Sequence, residues 1–278
     1  AKINGSKIVH TCGFDSIPSD MGVYFIQRES KDKIGIIAQE IKMRVAAISG
    51  GISGGTYASL SRVLEEAQKD KTIYKVLTNP YGLNPKNDQI GEDKSDLKSV
   101  VFDNASKSWI GPFIMASINT KVVRRSNSIS GHSYGKSFRY DEATIFGKGL
   151  FGRIKGILST ISIGLVMYAK HGSLLKKFLD SFFPIPGDGP TRKKMEKGYY
   201  NLRFYITLED GSNAFAKVTG DMDPGYGSSS KMLAESAVCL AKDKLPNTSG
   251  ILTPSVAMGN SLLKRLEKNA GLKFSFEN

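Results

Sequence analysis

Cysteine, histidine and tryptophan are scarce in this 278-residue sequence, which holds two, three and one of them. Cys12 and Cys239 lie far apart, and nothing resembling a secretory leader precedes the first of them. That argues against a disulfide framework and for a reducing, cytoplasmic setting. His10, His132 and His171 show neither paired spacing nor a neighbouring cysteine, which leaves no zinc arrangement of the usual kind, so no structural metal is expected. Long apolar runs are missing too. The run from Ile157 to Ala169 is about thirteen residues, against the roughly twenty that a bilayer crossing takes. Acidic residues are in short supply, 26 against 39 Lys and Arg, which gives a formal charge of +13. There is no internal repeat, low-complexity tract, zinc finger or RNA-recognition signature.

With 40% apolar and 23% charged side chains, the chain has the composition of a folded globular protein. Its charge is unevenly spread. From Lys148 to Tyr200 there are ten basic and three acidic residues, a net +7, so more than half of the excess sits in one region that is also rich in Leu, Ile and Phe. That mixture suits an anionic lipid surface better than nucleic acid, and no nucleic-acid partner is expected. The stretch from Gly149 to Phe183 can be a buried helix, an oligomer contact such as a homodimer interface, or a peripheral membrane contact, and a solvated basic face accounts for the charge alone.

Periodicity predicts a first strand over residues 7–11, ending at Cys12-Gly13. A turn follows, then a helix through residues 21–26 that Ser19 or Asp20 can cap. A second strand is predicted over residues 40–49, then a glycine-rich loop to Thr56 and a helix over residues 57–69, with Leu60, Val63, Leu64 and Ala67 at helical spacing. Residues 79–108, rich in Asn, Pro, Lys, Asp and Gly, read as a long, exposed, mobile connection. Residues 109–116 and 120–123 form a buried patch, with Arg124 and Arg125 after it. Residues 184–190 read as a rigid loop, and residues 199–208 and 213–219 as a hairpin. Helices are expected over residues 229–242 and 254–269.

Several of these segments together resemble the saccharopine dehydrogenase-like oxidoreductase family, which includes the bacterial trans-acting enoyl reductases. They are His10-Thr11-Cys12-Gly13-Phe14-Asp15-Ser16-Ile17-Pro18-Ser19-Asp20-Met21-Gly22, Ser53-Gly54-Gly55-Thr56, Asn119 with residues 122–127, residues 186–190, Gly220-Asp221-Met222-Asp223-Pro224-Gly225-Tyr226-Gly227, Lys231-Met232-Leu233-Ala234-Glu235-Ser236, and Gly250-Ile251-Leu252-Thr253-Pro254. They follow the family's order and cover nearly the whole chain.

The resemblance implies an α/β fold: an α+β substrate domain with a mixed sheet over residues 39–246, flanked by remnants of a Rossmann-type domain in residues 1–38 and 247–278. The last helix is then expected to return to the nucleotide-binding domain. The family's pyrophosphate-binding turn is not in this sequence, so the resemblance implies a module upstream of Ala1 and little NAD or NADP binding by this chain alone.

It also places Gly13, Phe14, Asp15 and Ser16 near the nicotinamide, where a plain turn in which Asp15 caps a helix and Phe14 fills core is the alternative. Ser53, Gly54, Gly55 and Thr56 either meet a substrate carbonyl or serve close helix packing. Arg124 either clamps an acidic substrate or ends a solvated strand, and only one of Arg124 and Arg125 is expected to face the cleft. Asp221, Asp223 and Tyr226 either relay a proton or shape a loop in which Asp223 binds its own backbone. The implied activity is hydride transfer with NAD(P) on a small-molecule, lipid-linked or acyl-linked substrate. The alternative is a non-catalytic scaffold at a lipid surface.

Overall fold

A computed structural model describes residues 1–50, 53–169, 173–182, 185 and 187–277, with the side chain of Tyr168 left aside. Gly51 and Ile52 of the glycine-rich loop, His171, Phe183, Pro184 and Pro186 lie outside the described residues.

Helix α1, Ile17–Ile34, starts earlier than Asp20, because Pro18 is pre-set for a first helical turn and the 13–16 turn delivers the chain there. Asp20 is therefore not a cap but a buried residue inside the helix. Gly35, at φ +88°, ends α1 by sending its N–H back to the carbonyls of Ser30 and Lys31. Buried Gln27 then pins α1 to the next strand, bonding both the N–H and the carbonyl of Ala38 at 3.0 and 2.9 Å.

That strand, β2 (Ala38–Ser49), is the centre of the molecule. It pairs in parallel with β5 (Arg139–Gly147) and antiparallel with β6 (Tyr199–Leu208), which turns through Asp210 and Gly211 into β7 (Asn213–Gly220). Two short strands, β3 (Val101–Asp103) and β4 (Ser108–Gly111), extend one edge, and β9 (Leu272–Glu277) closes the other. The result is a mixed seven-stranded sheet, an α/β fold. Strict alternation along β6 and β7 puts Leu202, Phe204, Ile206, Ala216 and Val218 on the buried face. Arg203, Tyr205, Phe215 and Lys217 lie half-buried on the other.

On the buried face lie α1, α4 (Ala116–Ile129), α8 (Ser229–Lys242) and α9 (Pro254–Asn269). Gly22 of α1 sits so close to the sheet that a Cβ there would come within 2.9 Å of the Phe204 ring. Fully buried side chains such as Ile17, Met21, Phe204 and Leu262 each contribute about 1.5–3 kcal/mol by leaving water. Cys12 and Cys239 are buried free thiols. Apart from the sheet, β1 (Lys7–Val9) and β8 (Gly250–Leu252) pair in parallel as two strands alone.

Three expectations fail. Residues 120–127 are helix α4, not the end of a strand. Residues 79–108 are not a free connection, because Asp93, with a side chain only 4% exposed, ties them to the body by bonding Arg124, Tyr81 and the N–H of Tyr140. The helix after residue 57 is also joined, beyond α2 (Gly54–Lys69), by α3 (Lys71–Thr78). The third concerns the apolar stretch near residue 160. Of the three readings offered for it, the buried helix falls away: α5, Gly149–Tyr168, is a 20-residue helix lying against β4 and β5, with most of its large apolar side chains exposed.

Candidate functional site

Four segments meet where β2 ends and β6 begins, and one glycine shows why. Gly50, immediately after β2, has φ +145°, and a Cβ there would stand 2.7 Å from Pro224 Cδ and 2.9 Å from Asp223 Cβ. The start of the glycine-rich loop is thus pressed against the loop that follows β7. On the other side, Phe14 packs edge-on against Tyr200 at 4.8 Å between ring centres, and its N–H donates to Ser229 Oγ at 2.9 Å. Ser229 in turn donates to the carbonyl of Pro224 at 2.8 Å, and the hydroxyls of Tyr200 and Ser228 lie 3.0 Å apart. The fourth segment enters through Tyr226, whose hydroxyl donates to the Asp188 carbonyl at 2.7 Å while its ring packs on Gly189.

Roles divide sharply within these loops. Asp223 is fully buried, and its carboxylate accepts the N–H groups of Tyr226 and Gly227 at 3.0 and 2.9 Å. It is the loop's cap, followed by a wide turn over Pro224–Ser228 that leads into α8. Asp221 is exposed and 3.7 Å from Lys231. Ser53 caps α2, accepting the Thr56 N–H at 3.0 Å, with the two hydroxyls 2.9 Å apart. Gly54 is buried and Gly55 exposed at the same helix start. Gly13 faces Ser229, Ser16 is wholly buried, and Asp15 is at the surface with its carboxyl pKa raised by the surrounding protein.

Ser16 leads inward. Its hydroxyl donates to Asn119 at 3.1 Å, Asn119 donates to Glu142 at 3.0 Å, and Tyr140 donates to the other oxygen of Glu142 at 2.8 Å. Burial lifts the Glu142 carboxyl to about 7 despite the hydrogen bonds from Ser19, Tyr140 and Asn119. A second buried carboxyl, Asp20, is lifted to about 6 by burial against hydrogen bonds from Ser126 and Ser255. Glu142 and Tyr200 were not singled out in the sequence. The signal for Glu142 is a carboxylate on a core-facing position of a strand, opposite Met43 of β2.

Arg124 lies away from this meeting point. Its side chain, 2% exposed, bonds Asp93 at 2.8 Å and the carbonyls of Pro80 and Tyr140 at 3.1 and 2.9 Å, over the Tyr81 ring. It is an internal anchor. Arg125 points elsewhere, to the carbonyls of Leu83 and Ile251.

Against known proteins, the chain is 35% identical over 274 residues to a putative trans-acting enoyl reductase of Mycobacterium tuberculosis. It is 33% identical over 277 residues to a trans-acting enoyl reductase of Mycobacterium bovis, and 33% identical over 278 residues to one of Mycobacterium ulcerans. The chain is thus similar to trans-acting enoyl reductases over nearly all of its own length. The alignments take in 94% of the chain and 65% of each reductase, so the chain spans a little under two thirds of its relatives' length. No protein-family model and no solved structure matches it.

A nicotinamide dinucleotide needs a glycine-rich turn whose N–H groups cradle the pyrophosphate at a helix start. The described residues do not fit one. At the start of α2 the Thr56 N–H is taken by Ser53, and the turn before α1 has Gly13 against Ser229 and Ser16 turned inward to Asn119.

Proposed function

We propose that this chain forms the acyl-substrate side of an NAD(P)-dependent enoyl reductase of the saccharopine dehydrogenase-like class. The observation that carries the reading is the meeting of residues 13–16, Gly50, residues 188–189 and residues 223–229 at one end of the sheet, in a chain aligned over 94% of its length with proteins named enoyl reductases. The dinucleotide cradle belongs, in this reading, to the part of the relatives that the chain does not cover. The lone β1–β8 pair supports that division. Parallel sheets are ordinarily many-stranded and covered on both faces, whereas here Ile8 and Ile251 are 44% and 54% exposed. Further strands beside this pair would make it the edge of a nucleotide-binding sheet.

Reducing an enoyl group adds a hydride to one carbon and a proton to its neighbour, so the substrate side must orient a thioester carbonyl and deliver a proton. The N–H groups of Gly54 and Gly55 precede the first helical hydrogen bond of α2, from Tyr57 to Ser53, and are suited to the carbonyl. Phe14, backed by the buried Tyr200 ring, walls the acyl chain. Tyr226, Asp15 and Asp221 are protonatable groups on the outer side of the loops, and Tyr226 is assigned the proton relay, with Asp223 fixing its backbone. Tyr226→Phe, tested on an enoyl thioester in protein of the relatives' full length, is expected to lower kcat by about a hundredfold or more with little change in KM. An unchanged kcat removes Tyr226 from the chemistry, and failure of that protein to reduce any enoyl thioester sinks the reading.

A further inference from the structure

Helix α5 is amphipathic in the wrong direction for a core helix. Its sheet-facing side is small: Gly152 and Gly156 are buried, a Cβ on Gly156 would meet Phe146 and Val100 at 3.1 Å, and Thr160 lies over Gly111. Its outward side carries Leu150, Ile154, Ile157, Leu158, Ile161 and Leu165, spaced to form one continuous stripe and 41–69% exposed. Arg153 and Lys155 fall at the two margins of that stripe, and Lys148 stands at its start. After it, α6 (Leu174–Asp180) adds Leu174 and Phe178, 85% and 61% exposed, and Phe182 follows at 70%.

Helix α5 is about 30 Å long and, by length and composition, apolar enough to cross a membrane. Strapped side-on to β4 and β5, however, it would have to leave the sheet to do so. The packing instead leaves the stripe in position to lie in a membrane surface, with the basic side chains reaching up to the headgroups. We propose that α5 and α6 dock this protein onto an anionic lipid surface. A second copy is the poorer occupant. A two-fold contact through the stripe would bring two regions of net +7 together, ten basic against three acidic residues between Lys148 and Tyr200 in each copy, whereas anionic lipid neutralises them. The proposal goes beyond the enzymatic reading and stands without it.

The test is flotation of the chain with phosphatidylcholine vesicles that do or do not contain about a third phosphatidylserine. The wild type is expected to float with the anionic vesicles and much less with the neutral ones. Leu158→Asp combined with Ile161→Asp, at positions 61% and 54% exposed, should stay in the soluble fraction with an unchanged thermal melt. Lys148→Ala and Lys155→Ala should each weaken binding roughly fivefold. No flotation of the wild type, equal flotation with neutral vesicles, unimpaired flotation of the double variant, or concentration-dependent self-association abolished by that variant in place of vesicle binding would each overturn it.

Discussion

Glu142 is held in the core by Asn119 and Tyr140, and its cost to the fold depends on pH. Its carboxyl ionises near the ordinary value of 4.5 in the unfolded chain and at about 7 in the native one. Between those values the unfolded state has released a proton that the native state keeps, so stability falls as pH rises through the window and levels off above it. Glu142→Gln keeps the size and cannot ionise. It should flatten most of that slope and leave the protein more stable by up to about 3 kcal/mol above pH 7, as read from urea melts on either side of the window. Asp20, lifted to about 6 in the same core, contributes to the slope that remains. A variant less stable than wild type on both sides would contradict the assignment. The sequence did not make this legible, because neither carboxylate looks buried until strand register and helix packing place it. Asp223 is the opposite case: a carboxylate before Pro-Gly has its own backbone within reach, and that local reading describes the bond it makes.

Among elements, those whose bounds depend on local chemistry were readable, and those fixed by distant partners were not. Helices α8 and α9 occupy the expected residues 229–242 and 254–269, and the β6–β7 hairpin differs from expectation by one residue. Strands β5 and β9 escaped notice. Each is decided by the strand beside it, β2 in the first case and β7 in the second. Residues 79–108 look like open loop by composition, yet a buried ion pair, Arg124 with Asp93, ties them to the body. Arg124→Gln should therefore cost about 3–5 kcal/mol, because it strands Asp93 without its cation, and should expose this segment first to limited proteolysis. Stability within 1 kcal/mol of wild type, roughly the worth of a surface pair, would mean that Arg124 is free to serve a ligand. For helix α5 composition left a buried helix, an oligomer contact and a membrane contact open, because an apolar run alone does not say which way its side chains face. Only the placement of its glycines on the sheet reveals that the large side chains face outward.

For the molecule as a whole, the four loops of the candidate site are drawn from a span of more than 200 residues, and their meeting was implied by family resemblance rather than by any local pattern. What resemblance could not supply was the division of labour. Asp223 and Ser53 are caps, Arg124 is an anchor, Ser16 is turned inward to Asn119, and Tyr226 and Asp15 remain on the outer side of the loops. A substrate side without a cofactor cradle makes a clear demand on the complete protein. The most direct measurement is enoyl-thioester-dependent oxidation of NADPH and NADH, with cofactor binding followed by fluorescence, for this chain and for a version extended to the length of its relatives. Binding and oxidation by the extended protein alone is the predicted result. Cofactor binding by this chain alone, or an extended protein that binds neither cofactor and oxidises none, would contradict it.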